Sequence, residues 1–280
     1  SSPTSSSPLI VVDGIIGRSM AQLDPSEIES MTVLKDASAV APYGARGANG
    51  VILITTKRGK SGKAQVDYNF KVGFGTPTRM PEIASSYDHA RFMNEAWRNK
   101  EMDLGEDPGM YGIYNEEELQ KFRDGSDPYG YPNTDWNKEV LLPRAWQQMH
   151  SLTASGGSDK VKYFAGFGYV KQDALYGDTR TNESTSGFNR YNARVNIDAN
   201  IVDKYLNLSA DMAYRQEDRN SIAGSTSDVF NNMHRNPQTD PGRFPDGNLG
   251  KVSLGVNPIG LATEGGWVKD RKSVLNTRFM

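Results

Sequence analysis

The chain contains no cysteine, which excludes disulfides, thiolate metal sites and cysteine nucleophiles. Histidine is nearly as scarce. His89, His150 and His234 stand far apart, with no HExxH pattern and no Ser-His-Asp order, so neither a metal centre nor a catalytic constellation is legible and no cofactor is expected. Neither charge dominates: 32 basic residues face 34 acidic ones, for a net charge of −2. That balance argues against a nucleic-acid partner held by a basic surface. No apolar run exceeds about five residues, whereas a membrane helix needs about twenty. A membrane β-barrel passes this test, because its strands alternate and hydropathy averages them away. The mean hydropathy of −0.63 is therefore no evidence of solubility.

The first sixty residues read as a small αβ unit. Residues 9–12 form a short apolar strand closed by Asp13-Gly14, a turn dipeptide. Asp24-Pro25 opens a short helix over 25–30, and 31–34 are strand-like. Asp36 is placed to cap a brief helix over 37–41 that Pro42 ends, and turn-rich residues 43–50 lead to a strand at 51–56.

From Lys63 onward the period is two. Between Ala64 and Phe74 every even position is apolar and every odd one is polar or glycine. The pattern returns at 161–169, 191–201 and 206–214, and more weakly at 152–154 and 275–279, giving about six strands of around ten residues. Their connections alternate. Tight turns fall at 156–159 and 202–204, and long links at 76–144, 171–188 and 216–271. Short turns on one edge and long loops on the other are the layout of an outer-membrane barrel. Aromatics near strand ends, Phe74, Tyr169, Tyr205 and Tyr214, suit interfacial girdles or ordinary edge packing. The alternative is an antiparallel sandwich, as in a soluble β-rich carbohydrate-binding module. A sandwich would expose a Lys/Glu-rich face, whereas the polar face here is Asn, Asp, Ser, Gln and Arg, which suits a wet lumen.

The stretches 8–14, 24–30, 33–39 and 43–57 closely resemble the end of the plug domain of TonB-dependent outer-membrane transporters, within them the SusC/RagA branch. Residues 63–280 resemble the family more loosely. Pro42 departs from the aliphatic residue expected before the Tyr-Gly pair, which bears on the length of the small plug helix. The resemblance implies a mainly β protein: a transmembrane antiparallel barrel of 22 strands, present here as about six, preceded by a small α+β plug segment. Residues 1–60 would be the C-terminal part of the plug and 61–280 the first part of the barrel. At this density 22 strands need on the order of 800 residues, so the chain reads as a piece of a longer polypeptide. The implied function is TonB-dependent import of a glycan oligosaccharide or peptide across the bacterial outer membrane. The implied partners are outer-membrane lipid, a SusD-like surface lipoprotein, and TonB through a segment upstream. No covalent chemistry, and so no enzyme, is implied.

Within the plug signature, Asp13, Gly14, Lys35, Asp36, Tyr43, Gly44, Arg46, Gly47, Asn49 and Gly50 are the expected motif and contact positions. Asp13, Lys35, Asp36 and Arg46 are the charges expected to pair within the plug or with the lumen face, where Asp67, Lys71, Arg194, Asp198 and Asp211 offer counterparts. Asp36 suits capping better. Gly44, Gly47 and Gly50 match no phosphate-loop spacing and read as turn geometry. In the first long loop, Tyr111, Tyr114, Tyr129, Tyr131 and Trp136 stand among carboxamides and acids, a pairing that suits sugar or peptide capture or contact with a lid. Tyr87, Phe92, Met93 and Trp97 are expected to pack as a mini-core on a helix near 85–99. Asp240, Asp246 and Asn248 lie near glycines without calcium-loop spacing and read as a turn.

Overall fold

The computed structural model describes residues 7–16, 20, 23–106, 112–202 and 205–280. The N-terminal unit is built around a four-stranded mixed sheet of β1 (Leu9–Val12), β2 (Ile15–Ile16), β3 (Ile28–Leu34) and β4 (Val51–Thr56). Its order is β2-β1-β4-β3, with β1 parallel to β4 and the other pairs antiparallel. Asp13 and Gly14 both have positive φ, 49° and 81°, which makes the β1–β2 link a two-residue hairpin turn of the primed kind. Val11, Val12, Val51 and Ile54 are its buried centre.

Two local readings are revised. The expected helix at 25–30 is a single 3-10 turn, Pro25–Glu27, after which the chain is already strand. Asp24 accepts from the Ser26 amide at 2.9 Å and caps that turn. Pro42 does not end the second helix outright. Helix α1 (Ala37–Val40) passes into 3-10 turns over Ala41–Gly47, broken at Gly44 (φ 58°), a conformation that disfavours any residue with a Cβ. Asp36 sits at the N-cap position of α1 without a side-chain capping bond.

From Gly62 the chain forms one six-stranded antiparallel sheet: β5 (Gly62–Gly75), β6 (Ala145–Gly157), β7 (Val161–Asp173), β10 (Gly187–Val202), β11 (Leu206–Ile222) and β12 (Trp267–Phe279). They pair in sequence order, a meander whose link between β7 and β10 carries the small hairpin β8 (Gly177–Asp178) and β9 (Glu183–Ser184). The strands run 13 to 17 residues, longer than alternation alone suggests. They extend past the apolar band into stretches such as 216–220 that are polar on both faces.

One face of this sheet is apolar and bare. Val66, Phe70, Phe167, Val195, Met212 and Leu275 all lie on it, each 42% exposed or more. The upper limit of this band shifts across the sheet, from Phe74 on β5 and Trp146 on β6 to Tyr169 on β7, Tyr191 on β10, Tyr214 on β11 and Leu275 on β12. Through the pairings, Leu275 shares a cross-strand row with Tyr68, six residues below Phe74. Six residues at about 3.3 Å over five inter-strand steps of about 4.8 Å correspond to a tilt of about 40°. A bilayer-crossing barrel strand is tilted by the same amount. Aromatic rings mark the limit: Phe74 meets Trp146 edge-on, and His150, Tyr169 and Tyr191 follow one another at 5.9 and 5.0 Å.

The long links are folded. The first contains α2 (Ser86–Asp103), α3 (Glu116–Asp124) and α4 (Trp136–Val140); the last contains α5 (Thr226–Arg235) and α6 (Pro258–Thr263). Trp136, Val140, Tyr176, Val229, Met233 and Ile259 form one core shared by all three links. Thr179 Oγ1 donates to Glu139 O at 3.2 Å and Thr185 Oγ1 to Ala262 O at 2.6 Å, tying the links together.

Candidate functional site

The αβ unit lies against the inner, polar face of the sheet. Strand alternation sets this face: Asn192, Arg194, Asn196 and Asp198 on β10, with Asp211 and Arg215 on β11, are the side chains opposite the apolar ones. The centre of the contact is Asp13. The positive φ of the turn aims its carboxylate back at β4, where it accepts the Thr56 amide at 2.9 Å and hydroxyl at 2.8 Å. The same Oδ2 accepts Arg194 Nη2 at 2.7 Å, and both side chains are 5% exposed or less. Burial alone would push the Asp13 carboxyl up; the Thr56 hydrogen bonds and the Arg194 guanidinium outweigh it and hold it below 3.8.

The network spreads from there. Arg194 Nε donates to Asn196 Oδ1 at 3.1 Å, and Asn196 Nδ2 donates to Asp211. Asp211 is shared by Arg58, at 3.2 Å, and Arg278, at 2.6 Å, while Arg278 Nη1 also donates to the Asp13 carbonyl at 2.8 Å. Arg58 reaches Asp198 at 3.0 Å. A second contact comes from the 3-10 turn. Glu27, 4% exposed, accepts Asn192 Nδ2 at 2.9 Å, and Ser26 and Ser151 share a hydroxyl bond of 2.5 Å. Burial drives the Glu27 carboxyl above 4.5, with Arg194 and Asn192 opposing it only in part. The wall is cut away beneath this turn: a Cβ on Gly168 would stand 2.5 Å from Asn192 Oδ1 and 2.6 Å from Asp24 Oδ2.

Of the charges expected to pair, Asp13, Arg194, Asp198 and Asp211 come together here. Lys35, Asp36 and Arg46 are exposed, and Asp67 and Lys71 lie on β5 away from the contact. Tyr43 is half-buried against Gly47; Gly50, at φ 90°, donates its amide to Gly47 O and turns the chain into β4. Asn49 sits exposed at that turn. Sequence reading missed Glu27, Arg58 and Arg278, the first hidden in a helix expectation and the others in an apparent linker and strand. Their signal was present in Arg278, an even-numbered polar residue in an odd-numbered apolar run.

The loop aromatics are mostly internal. Trp136 is a correction: it is 0% exposed, with Nε1 donating to Pro237 O at 3.1 Å, and it presents no ring to a ligand. Tyr114 and Tyr131 pack edge-on against Phe122 at 5.6 and 5.2 Å. Tyr129 is 55% exposed, and Tyr111 lies outside the described residues. Of the four residues expected to form a mini-core only Tyr87 joins one, packed against Ala90, Leu119 and Phe122, whereas Phe92 and Met93 turn outward and Trp97 is half-buried outside that cluster. Asp240 accepts the Ser253 amide and hydroxyl at 2.7 and 2.8 Å, as a turn carboxylate does.

A tilted sheet, apolar outside and polar inside, with an αβ unit docked on the inner face, defines a plugged outer-membrane barrel protein. The TonB-dependent Receptor Plug Domain family matches residues 2–51. TonB-dependent receptor SusC of Bacteroides thetaiotaomicron is 30% identical over 216 residues, 73% of this chain and 18% of its own length. TonB-dependent receptor P3 of Formosa agariphila is 33% identical over 279 residues, 96% of this chain and 24% of its own. A structure of the RagAB peptide transporter superposes with a TM-score of 0.66 at 24% identity, covering 88% of this chain and 28% of that one. The chain belongs to the SusC/RagA-type TonB-dependent receptors of the outer membrane. It spans only about a fifth to a quarter of the length of the curated relatives it matches, which are receptors and transporters rather than enzymes.

Proposed function

We propose that this chain serves TonB-dependent import of a glycan oligosaccharide or peptide across the bacterial outer membrane, with a SusD-like lipoprotein at the mouth. Residues 1–60 act as the end of the plug and 61–280 as the first part of the barrel wall, with the links at 76–144, 171–188 and 216–271 on the extracellular side. TonB would engage a segment upstream of these residues. Tyr129 is an exposed loop aromatic suited to substrate or lid contact.

The observation that carries this reading is the way the plug is held. Its contacts with the wall include ion pairs and hydrogen bonds to Arg194, Asp198, Asp211 and Asn192. Polar contacts of this kind are shielded enough to hold a channel shut, yet each partner can be rehydrated when the plug is pulled away. The test is uptake of labelled oligomers by cells carrying the full-length transporter, with and without TonB. Uptake should vanish without TonB, and the lipoprotein should co-purify; uptake that persists without TonB overturns the reading.

A further inference from the structure

Followed from its N-terminal end, the plug unit meets the wall late. Residues 9–12 bond within their own unit: β1 pairs with four residues of β4 and two of β2, and Leu9 donates its amide to Gly50 O at 3.0 Å. Among the described residues the first hydrogen bonds to the wall are made at Asp13. Its carboxylate accepts Arg194 of β10 at 2.7 Å, and its carbonyl accepts Arg278 of β12 at 2.8 Å. Later anchors follow at Ser26 and Glu27, on β6 and β10, and at Arg58, on β10 and β11. Asp13 also closes the unit on itself. It accepts the Thr56 amide and hydroxyl across 43 residues, and next to them the Lys57 amide donates to Glu27 O at 2.8 Å. Residues 13–56 are therefore a loop whose two ends are tied to each other and, through Arg194, Arg278 and Arg58, to three neighbouring strands.

Tension in a chain passes from residue to residue. A pull applied upstream loads β1 first and then Asp13, where the clasp passes it to Thr56 and the wall; residues 14–55 carry none of it while the clasp holds. The two links differ in kind. Strand β1 is held by neutral backbone hydrogen bonds and by the burial of Val11 and Val12. The clasp includes an ion pair whose side chains are 5% exposed or less, so its rupture leaves an uncompensated buried charge. Resting on the transport reading, we propose that Asp13 is a stop in the load path: the pull that opens the channel strips β1 from β4, and residues 13–58 remain on the wall. Strand β4 then keeps the edge on which β1 sat while its pairing with β3 persists, so β1 returns in the same register when the pull ceases.

The experiment uses the full-length transporter in cells, with cysteine pairs added to a stretch that has none of its own. Ile10→Cys with Ile52→Cys ties β1 to β4 at registered positions. Ser26→Cys with Ser151→Cys ties the 3-10 turn to β6, where the two hydroxyls lie 2.5 Å apart. TonB-dependent uptake of labelled oligomers is compared between the oxidised and reduced forms of each variant, with closure of each pair confirmed by mass spectrometry. Closing the first pair should lower uptake about tenfold or more, and closing the second should change it by no more than about twofold. Uptake blocked by the second pair means that residues beyond Asp13 leave the wall, and uptake indifferent to the first means that β1 stays; either result overturns the proposal. Single-molecule pulling on the N-terminal end of the lipid-inserted protein gives a second reading. Arg194→Met should lower the force of the rupture that starts at Asp13 and leave the rupture of β1 unchanged; an unchanged force at Asp13 overturns the proposal too. Uptake that persists without TonB defeats the transport reading instead, whereas TonB-dependent uptake with the reverse cross-link pattern defeats this inference alone.

Discussion

Asp13 and Glu27 are carboxylates on the same docking surface with opposite titration behaviour. Burial raises Asp13, but Thr56 and Arg194 overcompensate, so its folded value lies below 3.8. The stabilisation it gives is present above pH 3.8 and is lost as pH falls through the lowered folded value. Glu27 is raised above 4.5, chiefly by burial, so its contribution grows as pH falls from that raised value towards 4.5. Plug docking in the full-length protein should therefore tighten as pH falls through the raised value of Glu27 towards 4.5 and weaken below 3.8 as Asp13 takes up its proton. The force needed to extract the plug, measured against pH by single-molecule pulling, checks this. Glu27→Gln should remove the first phase and leave the second, because the carboxamide oxygen still accepts from Asn192. Arg194→Met leaves Asp13 buried without its cation and should cost about 3–5 kcal/mol of docking.

At the level of elements, the two faces of each strand answer to different neighbours. Val195 sits mid-band on the outer face between Ala165 and Met212, so Val195→Arg should cost about 2–4 kcal/mol in denaturant unfolding of the lipid-inserted barrel. One residue earlier, Arg194 is at home because it faces Asp13. Gly168 shows the same division on β7: Gly168→Val forces a side chain between the wall and Asp24, and should lower docking strength by about 1–3 kcal/mol in the pulling assay. If extraction force is unchanged in Gly168→Val, the approach of the 3-10 turn to β7 is not what the geometry indicates. Strands β5, β7, β10 and β11 were legible because their outer residues alternate without interruption. Strand β6 was faint because Gln148 and His150 point outward while Met149 points in, which inverts the expected pattern.

The whole molecule divides into an open wall, a plug unit on its inner face and a loop layer with its own core. Strands β5 and β12 are the two edges of the sheet among the described residues. The loop layer should fail independently of the wall. Trp136→Ala removes its largest fully buried side chain and should cost about 3–5 kcal/mol there. Limited proteolysis should then cut the long links while leaving the strands intact; cleavage no faster than in the unmodified protein contradicts a shared core.

Sequence alone determined the period-two strands, the parity of short and long links, the turn at Asp13-Gly14 and the plug signature. Each is local, set by which face a side chain takes or which φ a residue tolerates. Tertiary structure decided which charges meet. Asp13 and Arg194 are 181 residues apart, and Arg278 lies 265 from the Asp13 carbonyl it binds, separations that leave no trace in a local pattern. It also decided that Trp136 is core rather than ligand surface. A tryptophan beside acids and amides reads the same in either role, and only the helices that close over it distinguish the two.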